Sequence, residues 1–222
     1  MIIVFDLDDT LYSEITFVYS GFACIAQKLT EIIDVPESEI FTRAKLILEK
    51  DGRDKVFDAL TKHFGIYSDK LVKSLVSTYR SHEPAISLKE DVKNLLLDLK
   101  RDYSLYIVTD GNKLVQKSKV VALDLEPYFR RILITHQFGL FAAKPSLICF
   151  DKIRSSEDAQ WSSIVYVGDD PHKDFVSLNK VGAVTIRVLD GRFRGVELES
   201  PFEARYRINS LNELPELLLK LS

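Results

Sequence analysis

Asp6, Asp8 and Asp9 place three carboxylates within four positions, directly after the apolar run Ile2-Ile3-Val4-Phe5. Carboxylates this close repel one another at neutral pH. The hard oxygens of Asp6 and Asp8, two residues apart, suit one small cation held between the two side chains. A solvated acidic turn is the plain alternative. Three other polar groups stand at comparable places: Thr109 in Thr109-Asp110-Gly111-Asn112, Lys144 ahead of Pro145, and Asp169 in Gly168-Asp169-Asp170-Pro171. Singly, Thr109 reads as a helix cap, Lys144 as a surface charge and Asp169-Asp170 as a turn. What decides between the plain and the functional readings is where the surrounding elements put them.

Residues 2–6 read as a fully buried strand, because the run does not alternate with polar residues. From Ser13 to about Leu88 the pattern is helical. Phe22, Ile25, Ala26 and Leu29 mark one helix face, and Val35-Pro36-Glu37-Ser38-Glu39 breaks and restarts the chain. Two more helical stretches run from about Arg53 to His63 and from about Asp69 to Tyr79. Four helices without a strand, between two strand-bearing regions, read as an inserted subdomain. After Glu83-Pro84 helices and strands alternate. Val92, Leu95, Leu96 and Leu99 line a helix. Strands follow at Leu105–Val108, Ile132–Ile134, Ile164–Val167 and Val184–Val188, with a short one near Tyr206-Arg207-Ile208 and a last helix from about Leu211. This alternation predicts an α/β fold with a doubly wound parallel sheet. Such sheets bind ligands beyond the carboxyl ends of their strands. Asp6, Thr109, Lys144 and Asp169 all sit at or just after those ends, so together they describe one polar ligand site.

With 222 residues, 46% of them hydrophobic, the chain can bury a sizeable core. A net charge of -3 and a pI near 5.9 carry no basic bias, so no nucleic-acid polymer is expected as partner. Cys24 and Cys149 fit no metal-ligand spacing and read as two buried reduced thiols. His63 and His82 have no partner at ligand spacing and read as surface or boundary residues. The first apolar run is too short for a signal-peptide core, and no later run reaches the length of a membrane span. The expectation is a cytoplasmic protein without a membrane partner.

The motifs in order are Asp6-Leu7-Asp8-Asp9-Thr10, Thr109 after an apolar strand, Lys144 before Pro145, and the acidic run Gly168-Asp169-Asp170-Pro171-His172-Lys173-Asp174. In these four the chain resembles the haloacid dehalogenase (HAD) superfamily, in its phosphatase form. The resemblance implies a Rossmann-like core of residues 1–12 and 89–222 with strand order 3-2-1-4-5. It makes residues 13–88 a four-helix cap, a lid over the strand ends. It implies a Mg²⁺-dependent phosphatase acting on a small phosphorylated metabolite, a sugar phosphate or a nucleoside monophosphate. A phosphate monoester is dianionic and resists attack by water, so a positioned nucleophile and a cation are both needed.

Carried onto these positions, Asp6 is the nucleophile that forms an aspartyl-phosphate. Asp8 protonates the leaving alkoxide and then activates water. Mg²⁺ lies between Asp6, Asp169 and the backbone carbonyl of Asp8. Lys144 neutralises the nucleophile and the phosphate oxygens. Thr109 and the amides near Asp110 and Gly111 hold the phosphoryl group, with Asp110 standing where many relatives carry Asn. Asp170 and Asp174 are extra acids behind these groups, Asp174 orienting Lys144 or a metal-bound water. Asp9 is read as a loop and helix-start residue. Arg43, Lys45 and Arg53 are the candidate cap contacts, each with a solvated charge as the plainer reading. Tyr12 and Phe17 are read as packing residues near the hinge. Relatives that displace halide lack a second acid at the position of Asp8, so its presence favours phosphoryl transfer. A sugar phosphomutase and a non-catalytic binding module of the same fold are the alternatives.

Overall fold

A strand that is apolar on both faces belongs in the middle of a covered sheet, and Ile2, Ile3, Val4 and Phe5 are all buried. In the computed structural model, which describes residues 1–221, they form β1 (Ile2–Phe5). This strand pairs in parallel with β2 (Ser104–Thr109) on one side and β4 (Ile164–Gly168) on the other. Beyond β2 lies β3 (Arg131–Ile134), and beyond β4 lie β5 (Val184–Val188) and β6 (Tyr206–Ile208). The order is β3-β2-β1-β4-β5-β6 with every pairing parallel. The expected 3-2-1-4-5 order is present, and β6 extends it by one strand. Phe5 is in register with Ile107 and with Val167, and the Asp6 amide donates to the Val167 carbonyl at 2.8 Å. Asp6 therefore leaves the sheet level with the last residues of both neighbours.

The chain divides into two compact units, residues 1–14 with 87–222 and residues 15–86. In the first, a core cluster including Val4, Val108, Phe150, Ile153, Tyr166 and Phe175 packs against the sheet. Helix α5 (Glu90–Asp102) buries Val92, Leu95, Leu96 and Leu99, and carries acids in its first turn and bases in its last, complementing its dipole. Helix α6 (Lys113–Ala122) starts at Asn112, whose side chain accepts from the amides of Leu114 and Val115. The remaining helices of this unit are α7 (Ile148–Ser156), α8 (Val176–Val181) and α9 (Leu214–Leu221). No helix among the described residues is long and apolar enough to cross a membrane.

The inserted region is helical throughout: α1 (Glu14–Thr30), α2 (Glu37–Asp51), α3 (Val56–His63) and α4 (Asp69–Ser81). Its own core includes Phe22, Ile25, Leu29, Ile40, Leu60 and Leu75. Ser68 caps α4 by accepting from the Leu71 amide. Lys45, one of the three expected cap contacts, lays its ammonium 4.7 Å from the centre of the Tyr19 ring. Arg43 is half-buried and Arg53 exposed. Two minor expectations need correction. His82 is buried rather than at a boundary, because its Nδ1 engages the Tyr79 carbonyl at 2.7 Å within an aromatic cluster. Cys24 is half-buried; only Cys149 is buried, and both are free.

That aromatic cluster dictates one small residue. Tyr79 packs among Phe17, Phe22 and Phe57 at ring separations of 5.7, 6.3 and 5.5 Å. A Cβ at Gly21 would stand 2.3 Å from the Tyr79 ring, which its neighbours keep from moving aside. Alanine is the better helix former by about 1 kcal/mol, but overpacking a filled site loses roughly 1–3 kcal/mol. Gly21→Ala should therefore lower the unfolding free energy measured by chemical denaturation; an unchanged or raised midpoint would show that the ring yields freely.

Candidate active site

The site is organised around a lysine that solvent does not reach. Lys144 has a fully buried side chain. Its ammonium lies 2.9 Å from Asp6 Oδ1, 2.8 Å from Asp174 Oδ1 and 2.9 Å from the Tyr166 hydroxyl. An ammonium has three N–H donors, and here each has an acceptor. Burial alone pushes such a group toward the neutral form, but the carboxylates of Asp174 and Asp6 outweigh it and hold its pKa well above the ordinary lysine value. Tyr166 also donates to Asp174 Oδ1 at 3.1 Å, and the Asp170 amide donates to Asp174 Oδ2 at 3.0 Å. Gly168 permits this approach, since a Cβ there would fall 2.5 Å from Asp174 Oδ2.

Asp6, Asp169 and Asp174 each offer an oxygen within 4.8 Å of the others, and all three are buried. Burial raises the Asp6 carboxyl to about 7, with Lys144 opposing and Asp174 adding to the rise. Burial, then the charges of Asp6 and Asp174, raise Asp169 to about 9. Three carboxylates in so small a space, two of them pushed toward the protonated form, could hold a hard divalent cation. The side chain of Asp8 is not in this set. The spacing of Asp6 and Asp8 suggested that they straddle one cation, but the chain bends at Leu7, between them, and the Asp8 carboxylate is engaged elsewhere. Arg187, buried at the end of β5, donates from Nε to the Asp169 carbonyl at 3.2 Å and pairs with Glu203 at 2.7 Å.

The Asp8 carboxylate has three donors of its own. Tyr12 donates its hydroxyl to Oδ1 at 2.6 Å, Lys119 its ammonium to Oδ1 at 2.7 Å, and Gln116 its amide to Oδ2 at 2.9 Å. The same Gln116 amide donates to the buried Thr109 hydroxyl at 2.7 Å. Burial would raise the Asp8 carboxyl, but Lys119 and the hydrogen bonds outweigh it and hold the group below the usual value. Asp9 accepts from the Glu14 amide at 2.9 Å, at the start of α1. Asp110 accepts from the Thr135 hydroxyl at 2.7 Å and from the Lys144 amide at 3.0 Å, so its side chain ties two loops together. Gly111 has φ 127°, a region that favours glycine. Asp170 Oδ1 accepts from the His172 amide at 3.0 Å and lies 2.8 Å from His172 Nδ1. Lys173 stands 3.6 Å from Asp110 and 3.8 Å from Asp170.

Asp6, Asp110, Lys144, Asp169 and Asp174 thus form one network of charges and hydrogen bonds, with Gly111 and Asp170 in the adjoining loops, and Gln116 joins Asp8 and Thr109 in a second. Tyr12, read from the sequence as packing, is a hydrogen-bond donor in it. Gln116, Lys119 and Tyr166 had no part in that reading. The signal that exposes the first two is the face of α6 on which they lie. Gln116 and Lys119 are each 2% exposed, while Leu114 and Val121 on the same helix are 67% and 66% exposed. The helix turns Leu114 and Val121 outward while it buries Val120 with the two polar residues, forgoing part of the roughly 1.5–3 kcal/mol that burying each exposed side chain would contribute.

Residues 3–188 match the haloacid dehalogenase-like hydrolase family. The chain is 31% identical to a glyceraldehyde 3-phosphate phosphatase of Methanocaldococcus jannaschii, over 99% of this chain and 97% of that protein. It is 26% identical to a protein of the same name from Pyrococcus furiosus, over 98% of this chain and 92% of the relative. Among solved structures, a 2-haloacid dehalogenase from Pseudomonas syringae superposes over the whole of both chains with a TM-score of 0.67 at 23% identity, a likeness of fold. The family match spans the central strands and all four motifs, and the relatives match from end to end: the chain belongs to the haloacid dehalogenase-like hydrolases.

Proposed function

We propose that this chain is a Mg²⁺-dependent phosphatase that hydrolyses a small phosphorylated metabolite through an aspartyl-phosphate on Asp6. The observation that carries the reading is the contrast between two carboxylates of one loop. Asp6 is held by a buried lysine inside an acidic cluster, and Asp8 is held apart from it by its own donors. A nucleophile and a separate proton shuttle are what a double displacement at phosphorus needs. Asp6, Asp169 and Asp174, with the backbone carbonyl of Asp8, would hold the metal, and the fit rests on three buried oxygens without enough positive charge among them. When bound, the ion supplies charge that offsets the anionic nucleophile and phosphoryl oxygens.

In this reading Asp6 attacks phosphorus while Lys144 steadies its carboxylate. Asp8, ionised at rest, takes the proton that a monoanionic substrate brings and passes it to the departing alkoxide, and later takes one from the water that cleaves the aspartyl-phosphate. Thr109 and the backbone at Asp110 and Gly111 orient the phosphoryl oxygens. A halide-displacing reaction has no use for the Asp8 proton shuttle. Relatives named for glyceraldehyde 3-phosphate, matching over nearly the whole chain, favour a short sugar phosphate over a nucleotide.

Phosphate release from a panel of sugar phosphates and nucleoside monophosphates, run with Mg²⁺ and with chelator, tests the assignment. Turnover is expected on a short sugar phosphate with Mg²⁺ alone, and Asp6→Asn should lower kcat by at least roughly 10³-fold. Substantial turnover in Asp6→Asn would remove the nucleophile, and isomerised sugar phosphate without free phosphate would favour a mutase. The raised acids give a second prediction. A group whose pKa is higher in the folded state contributes stability that is lost as the pH climbs through that value, here about 7 for Asp6 and 9 for Asp169. Metal-free protein should therefore lose this contribution between about pH 4 and 9. Mg²⁺ competes with those protons, so the rise in Tm on adding it should be larger at pH 8.5 than at pH 5.5. At hundredfold excess over Kd the gain is about 2.7 kcal/mol. A Tm shift independent of pH would place the ion elsewhere.

A further inference from the structure

We propose that Gln116 and Lys119 of α6, together with Tyr12, form a clamp that fixes the Asp8 carboxylate as proton shuttle and keeps it in register with Thr109. The inference rests on the acid–base reading of Asp8 and adds positioning residues to it. Lys119 and Tyr12 both converge on Oδ1, at 2.7 and 2.6 Å, and Gln116 takes Oδ2 at 2.9 Å. A carboxylate with donors on both oxygens is fixed in rotation as well as position. Gln116 does more than hold Asp8. Its single amide nitrogen reaches the Thr109 hydroxyl at 2.7 Å, so one side chain sets the distance between the proton-transfer group and the phosphoryl-binding group.

A clamp is needed because the loop offers Asp8 a competing place. Asp6 lies two residues away, in a cluster whose oxygens suit a divalent ion. A freed Asp8 carboxylate can be drawn to that ion and lost as an acid. Lys119, whose side chain is only 3% exposed, gives it a cation of its own. The arrangement is maintained against the helix's preference, with Gln116 and Lys119 inside and Leu114 and Val121 in solvent.

Lys119→Met, Asp8→Asn and the double variant separate this role from plain structural support. The kcat/KM of each is compared on a sugar phosphate, whose alkoxide leaving group needs a proton, and on p-nitrophenyl phosphate, whose leaving group does not. Asp8→Asn should lower kcat/KM on the sugar phosphate by roughly 10²–10⁴-fold and on the aryl ester far less. Lys119→Met should reproduce that selectivity at roughly 10–100-fold, retained aryl activity reporting a folded site. In the Asp8→Asn background it should add little, because it acts through the group already removed. Equal losses on both substrates, or losses that multiply in the double variant, would overturn the clamp. Asp8→Asn with full activity on the sugar phosphate would overturn the shuttle reading itself. Impaired Asp8→Asn beside an unaffected Lys119→Met would leave that reading standing and remove only the clamp.

Discussion

The site depends on satisfying one ammonium that has no water. Lys144 finds its three acceptors on three separate pieces of chain: Asp6 just past β1, Tyr166 within β4, and Asp174 in the loop after β4. A buried ion pair of this kind is weak evidence for stability, since desolvating the charges offsets much of their attraction. Its consequence is geometric. Removing any one acceptor leaves a buried donor unpaired, so the strand ends are held in a fixed mutual arrangement. Charge balance follows from the same cluster. Three carboxylates share one lysine, in direct contact with Asp6 and Asp174, with Lys173 acting on the same two at longer range, so negative charge is in excess when all are ionised, and burial resists that state by raising Asp6 and Asp169. A divalent ion would resolve the excess.

Asp6 and Asp8 show how far two neighbours in sequence can be driven apart electrostatically. Both are desolvated, and for both burial is the largest influence, acting upward. The outcomes differ because of what the fold places beside each. Asp6 shares its lysine with a second carboxylate, whereas Asp8 has Lys119, a tyrosine hydroxyl and an amide directed at it. Carboxyl groups pushed in opposite directions within one site can take different roles. The bend at Leu7 falls between them, and the Asp9 side chain anchors the turn that follows by accepting the Glu14 amide.

The sequence made the sheet legible because its central strands β1, β2 and β4 carry apolar runs that stop at a polar residue or at the Gly168-Asp169 step, and the placement of ligands beyond strand ends did the rest. The helical insertion was equally plain from its periodicity. What escaped was the set of partners that neutralise the motif residues. Lys119 and Gln116 lie on a helix, where a polar residue is assigned to the outer face by default; only the exposed Leu114 and Val121 betray the reversal, and exposure is a property of the folded chain. Tyr12 has an apolar ring that packs and a hydroxyl that binds, and its position does not say which matters. The pairing of Asp6 with Asp8 around a cation assumed a chain still extended through residue 8, whereas the strand ends at Phe5, the chain bends at Leu7 and the Asp8 carboxylate has donors of its own.

The filled donor set of Lys144 bears on how the proposed reaction handles charge. With every N–H already accepted, the lysine can contact a phosphoryl oxygen only by releasing a present partner. Asp174 and Tyr166 are tied to each other and to the loop, so Asp6 is the partner that can change. In the proposed reaction it does: once Asp6 becomes an acyl phosphate its carboxylate charge is gone, and the negative charge that takes its place beside Lys144, next to that of Asp174, belongs to the transferred group. The ammonium can then follow the charge from carboxylate to phosphoryl oxygen with little movement of its stem. A buried lysine that begins by restraining the nucleophile thereby ends by stabilising the product of its attack, with no water needed to reorganise around it.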